Sequence, residues 1–198
     1  MKNITNIKKK NKLKIDEKKI LGFWFYLMSD FIIFATLFSV YFVINNNTYV
    51  YNIKKNIFNL KNIFNESMLL LFSSFFYGIA SIFVFFKKNK ISIFYFIISF
   101  LLGLFFIYIE YNEYCDLIQK NCYPQKDSFF SIFFTLIGSH CLHVILGMLW
   151  MIYIIYEVCF YEIENILYNK IICLGLFWHF LDIIWVFIFN IVYLIGVI

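Results

Sequence analysis

Residues 177–185 read FWHFLDIIW, and they lie inside an apolar run, Ile171–Val197, whose one formal charge is Asp182. The run exceeds the ~20 residues that cross a bilayer core, so it reads as a transmembrane helix. His179 and Asp182 are three apart and share one helical face. Burying them among Phe177, Trp178, Phe180 and Trp185 is costly unless that face meets another helix. The stretch therefore predicts a bundle of apolar helices that turn their few polar groups toward one another.

The rest of the chain repeats the pattern. Of 198 residues, 63% are hydrophobic and 24% aromatic, against about half apolar in a soluble domain. Charge-poor stretches long enough to span occur five times: Leu21–Ile44, Ser67–Phe86, Ile91–Ile109, Phe129–Ile155 and Ile171–Val197. Asp30 and Asp182 are the formal charges inside them. In the first span the many Leu, Ile, Phe and Val residues, at about 0.3–0.6 kcal/mol each, outweigh roughly 2.5–3.5 kcal/mol for one central Asp. The expected fold is all-α, an integral membrane bundle over residues 20–198 behind a lysine-rich tail, residues 1–19.

All 17 basic residues are lysines, and the composition favours Ile, Asn, Lys, Phe and Tyr. Eight lysines fall in the tail to Lys19, three in the KKNK link (87–90) and one at Lys170. The opposite loops hold Lys54, Lys55, Lys61, Lys120 and Lys126. That asymmetry predicts a cytoplasmic N-terminus and an external, periplasmic C-terminus. Lysines spread over tail and loops, rather than clustered on a readable face, exclude nucleic-acid binding. The first span is too long for a signal-peptide core and lacks an A-x-A-like cleavage site, so it is expected to stay as an anchor. Segment 45–65 reads as a solvated external loop with a weak sequon, Asn46–Thr48.

Depth follows from the 1.5 Å rise. Asp30 comes eleven residues after Lys19 and Asp182 twelve after Lys170, which sets both roughly 15–18 Å from the cytoplasmic end. The fourth span carries GSHCLHVILG (138–147), with His140, His143 and Gly147 on one face. His143 reaches a similar depth, so a His143–Asp182 contact is geometrically possible. Polar groups at such positions either join helices or line proton paths. A haem held by His179 with His140 or His143, or a three-histidine metal site, stays open on the residues alone. Cys141, Cys159 and Cys173 read as small apolar side chains, whereas Cys115 and Cys122 lie where a disulfide is chemically possible. Phosphate loops, nucleophile elbows and zincin motifs are absent from the sequence.

Four motifs then stand in order: LGFWFYLMSD (21–30), ESMLLLFSS (66–74), GSHCLHVILG (138–147) and LFWHFLDIIWVFIFNIVYLIG (176–196). From Ile20 to the C-terminus they resemble subunit III of haem–copper respiratory oxidases, and within that family its cytochrome bo-type ubiquinol oxidase branch. The resemblance implies a chain with no catalytic centre and no cofactor or metal of its own. It implies a proton-pumping terminal oxidase of the respiratory chain in the bacterial inner membrane, oxidising ubiquinol and reducing oxygen to water. Haems and copper are then expected in the partner, oxidase subunit I, with subunits II and IV also present. The chain is expected to stabilise subunit I, bind phospholipid and support proton uptake.

Residue by residue, the resemblance makes Asp30 the buried carboxylate associated with proton uptake. It places Glu66 and His179 at a lipid-facing cleft and gives His140, His143 and Asp182 packing roles. The chain departs from the pattern at Cys141, where glycine is usual, at Cys115 and Asp116, where histidines are, and in having no arginine. Two alternatives accompany this reading: subunit III of a cytochrome c oxidase, and a proton-coupled transporter using Asp30 and Asp182.

Overall fold

The computed structural model describes residues 16–45, 60–120, 122, 124–125, 127–161 and 164–194. The first fifteen residues of the tail, the sequon, most of the first loop, Lys126 and the last four residues lie outside the described residues. The described chain is all-helical, with α1 Glu17–Asn45, α2 Leu60–Phe85, α3 Asn89–Gln119, α4 Ser128–Phe160 and α5 Asn165–Ile188. A π-helical end, Phe189–Leu194, continues α5. All five helices are long and apolar enough to cross a membrane.

The helices overrun the expected spans, most of all in α3. The charge-free reading stopped at Ile109, but the helix continues through EYNEY to Gln119. Glu110 and Glu113 thus lie on a helix rather than in a loop. Likewise α2 starts at Leu60, so Glu66 sits inside it.

Neighbouring helices follow from the short connections. α2 and α3 form a hairpin whose turn places Lys87 at φ 57, in the left-handed region. Lys88 N–H donates to Phe83 O at 3.0 Å and Lys87 N–H to Val84 O at 2.8 Å. This is a Schellman closure with lysine where glycine is usual. α4 and α5 form the centre of the bundle: α5 packs on α1, α2 and α4, while α4 packs on α1, α3 and α5. In their most apolar windows half the residues are buried, compared with 22% for α1, which lies at the edge.

Hydroxyls and indoles fasten the centre to the hairpin. Ser73 and Ser99 each donate to the other's carbonyl, at 2.9 and 2.8 Å. Trp178 Nε1–H donates to Ser73 Oγ and Trp185 Nε1–H to Ser67 Oγ, both at 3.1 Å. Tyr77 O–H donates to Ile171 O at 2.7 Å. With no water at this depth these donors need protein acceptors, and small serines supply them without holding the helices apart. Gly147 is required by packing: a Cβ there would stand 2.8 Å from the Trp178 ring and 2.9 Å from that of Phe177.

Candidate functional site

Asp30, 7% exposed, faces α4 from α1. Its Oδ2 lies 4.0 Å from His143 Nε2. His143 Nδ1 lies 2.7 Å from Ser139 O, a carbonyl that can only accept, so this nitrogen carries the hydrogen. In the neutral ring Nε2 then presents a lone pair toward a carboxylate, which is an attractive pairing only when a proton resides on one of the two groups. Phe34 packs at 5.3 Å from the imidazole and keeps the pair among aromatics. The structure therefore corrects the sequence-based pairing: His143 meets Asp30, not Asp182. Equal depth allowed either carboxylate, and the rotation of α4 about its axis decides.

Asp182, 8% exposed, has its Oδ2 3.8 Å from His179 Nδ1 on its own helix. The His179 side chain is 55% exposed and lies at the surface, while Ser74 faces the carboxylate from α2. His140 is enclosed, 0% exposed, with its ring 5.2 Å from Trp185 and edge-on to Phe106 at 6.0 Å. Neither of its ring nitrogens has a hydrogen-bond partner. Cys115 and Cys122 are both free thiols, so the possible disulfide is not formed in the structure.

The sequence reading missed the main polar assembly. Glu66 of α2 and Glu110 and Glu113 of α3 bring one carboxylate oxygen each to within 4.8 Å of one another. Glu66 is 0% and Glu110 1% exposed, and all four of their oxygens lack a hydrogen-bond partner. Two like charges 4 Å apart repel by about 4 kcal/mol at an effective dielectric near 20, so the three carboxyls share this space only with a cation or protons to neutralise them. Among the described residues, this is the one place where three His, Cys, Asp or Glu side chains meet closely enough to share a metal, and it contains no histidine. The three-histidine site left open by the sequence is thus not formed. The signal for the cluster was present: ESM at the start of α2 and the i, i+3 pair in EYNEY, once both segments are taken as helix.

The chain matches the family model described as cytochrome c oxidase subunit III over residues 3–197. It is 47% identical over 194 residues to a cytochrome bo(3) ubiquinol oxidase subunit 3 of Buchnera aphidicola subsp. Baizongia pistaciae, covering 96% of this chain and 100% of the relative. A protein of the same description from Pseudomonas putida is 39% identical, with 90% and 86% covered. A probable quinol oxidase subunit 3 of Staphylococcus aureus is 35% identical, with 90% and 89% covered.

Proposed function

The chain belongs to the cytochrome c oxidase subunit III family, and we propose that it is subunit III of a proton-pumping ubiquinol oxidase in a bacterial inner membrane. The observation that carries this is the near full-length identity to bo(3)-type ubiquinol oxidase subunits, at 47% and 39% in two genera. In this reading the chain has no catalytic centre, and the haems and copper belong to a larger subunit. Three histidines in the whole chain support that role, being too few ligands for a haem–copper core. Subunit I is its main partner, beside subunits II and IV and bound phospholipid. The open faces of α1 support this: Leu21, Phe25, Ile32 and Val43 are 59–75% exposed and need lipid or protein against them.

The N-terminus lies in the cytoplasm and the C-terminus outside, from the lysine asymmetry. Asp30 is the residue through which the chain supports proton uptake. Its burial within a span, beside the His143 imidazole and the Tyr26 phenol, supports this role.

Purification through a tag on this chain, in mild detergent, tests the assignment. A haem-bearing large subunit in equal amount, with turnover on ubiquinol exceeding that on reduced cytochrome c, is the expected outcome. A preparation that oxidises cytochrome c but not ubiquinol would move the chain to the cytochrome c branch. A colourless chain that also fails to crosslink to any haem protein in intact membranes would contradict the proposal.

A further inference from the structure

We infer that Glu66, Glu110 and Glu113 form a binding site for a hard divalent cation of calcium's size. Two independent helices bring the carboxylates together, and the two innermost side chains are fully enclosed with every oxygen unpartnered. The cluster contains neither nitrogen nor sulfur, which selects an oxygen-seeking ion. An ion holding one oxygen of each residue at about 2.4 Å has a shell about 4.8 Å across. The three oxygens, all within 4.8 Å of one another, fit inside such a shell. Magnesium would draw its ligands to about 2.0–2.1 Å and keep several waters, which suits an enclosed site less well.

The surroundings leave room for such a charge. Asp116 and Lys120, further along α3, lie within electrostatic reach of Glu113, so among the described residues Lys120 is offset by another carboxylate. Tyr193 of the π-helical end lies within reach of all three glutamates. His140 packs edge-on against Phe106, one turn before Glu110. Glu113 is only partly buried and marks the way in. One ion contacts all three carboxylates at once, whereas protons neutralise them one at a time.

The site lies toward the end of the bundle opposite the α2–α3 turn: Glu66 is six residues from the start of α2 and Glu110 nine from the end of α3, about 9 and 14 Å along the axes. Under the lysine-derived orientation this is the external end, which free calcium reaches.

The test uses the tagged chain with whatever it brings down, stripped with a chelator and then titrated with calcium alone. The wild type and the Glu66→Gln, Glu110→Gln and Glu113→Gln variants are compared by equilibrium dialysis and thermal denaturation. Glu113→Gln, the least buried, keeps the comparison available if either of the other two fails to assemble. The expected result is one more calcium per chain in the wild type than in each variant, or at least a tenfold weaker site in the variants. Calcium should also raise the melting temperature of the wild type and leave the variants unchanged. Equal calcium content in the wild type and the variants overturns the inference. So does a calcium-free wild type whose protonated-carboxyl infrared band disappears in the variants, because protons then neutralise the cluster.

Discussion

The two sides of the α4–α5 centre are held in different ways. Toward the α2–α3 hairpin, buried indoles, a phenol and reciprocal serines make directed hydrogen bonds of 2.7–3.1 Å. Toward α1 the contacts are ring edges, Phe23 on Trp150 at 5.7 Å and Phe38 on Phe187 at 6.3 Å. To these are added the 4.0 Å Asp30–His143 approach and a long Tyr41 O–H bond to Val192 O at 3.3 Å. One seam fixes register by directed bonds between helices. The other leaves a carboxylate and an imidazole beside each other without a direct bond. The first reads as architecture; the second is the seam to which the proposed function assigns proton uptake.

The strongest challenge to this contrast is Trp178→Ala. It removes a ring that fills the space between Gly103 and Gly147 as well as the Ser73 bond. A loss of about 3–5 kcal/mol is expected, seen as a large drop in the thermal stability of the purified complex. Next is Gly147→Ala, whose Cβ would sit 2.8 Å from that ring. Overpacking of this kind costs about 1–3 kcal/mol. Thermal denaturation together with the yield of assembled complex measures it, and a wild-type value would mean that the ring has space to move.

Ser73→Ala leaves the Trp178 N–H without its acceptor and should cost about 0.6–2 kcal/mol. The matching change on the other seam, Asp30→Asn, is expected to shift stability by less than about 1 kcal/mol while altering proton uptake or durability during turnover. If Asp30→Asn destabilised the complex more than Ser73→Ala and left proton uptake and inactivation half-life unchanged, the roles assigned to the two seams would be reversed. The smallest expected change is a gain: Lys87→Gly relieves the left-handed turn residue by about 1 kcal/mol, readable as a slightly higher melting temperature.

What the sequence disclosed and what it hid follow from the same rule. Apolar length found all five helices, because in lipid the backbone must satisfy itself and a helix does so locally. Depth by residue count placed Asp30, His143 and Asp182 in one layer. It could not choose between the carboxylates, since depth fixes height along an axis but not rotation about it. Uncharged windows end at Ile109 in α3 and begin at Ser67 in α2. Glu110 was thereby set outside the membrane reading and Glu66 left at its border, so their meeting was invisible. The acids meet because two helices face each other, which no single-helix pattern reveals. The serine seam was hidden for a different reason: a serine in a span carries no sign of which neighbour will accept from it.

In the proposed role this chain sustains an oxidase without performing its chemistry. The direct measurement is to strip the chain from the purified complex with detergent, follow ubiquinol turnover and the haem spectrum, and then add the chain back. The expected result is an unchanged haem spectrum and a retained initial rate, with faster inactivation during turnover or slower proton uptake that recovers on re-addition. Immediate loss of turnover together with loss of a chromophore that departs with the chain would contradict it.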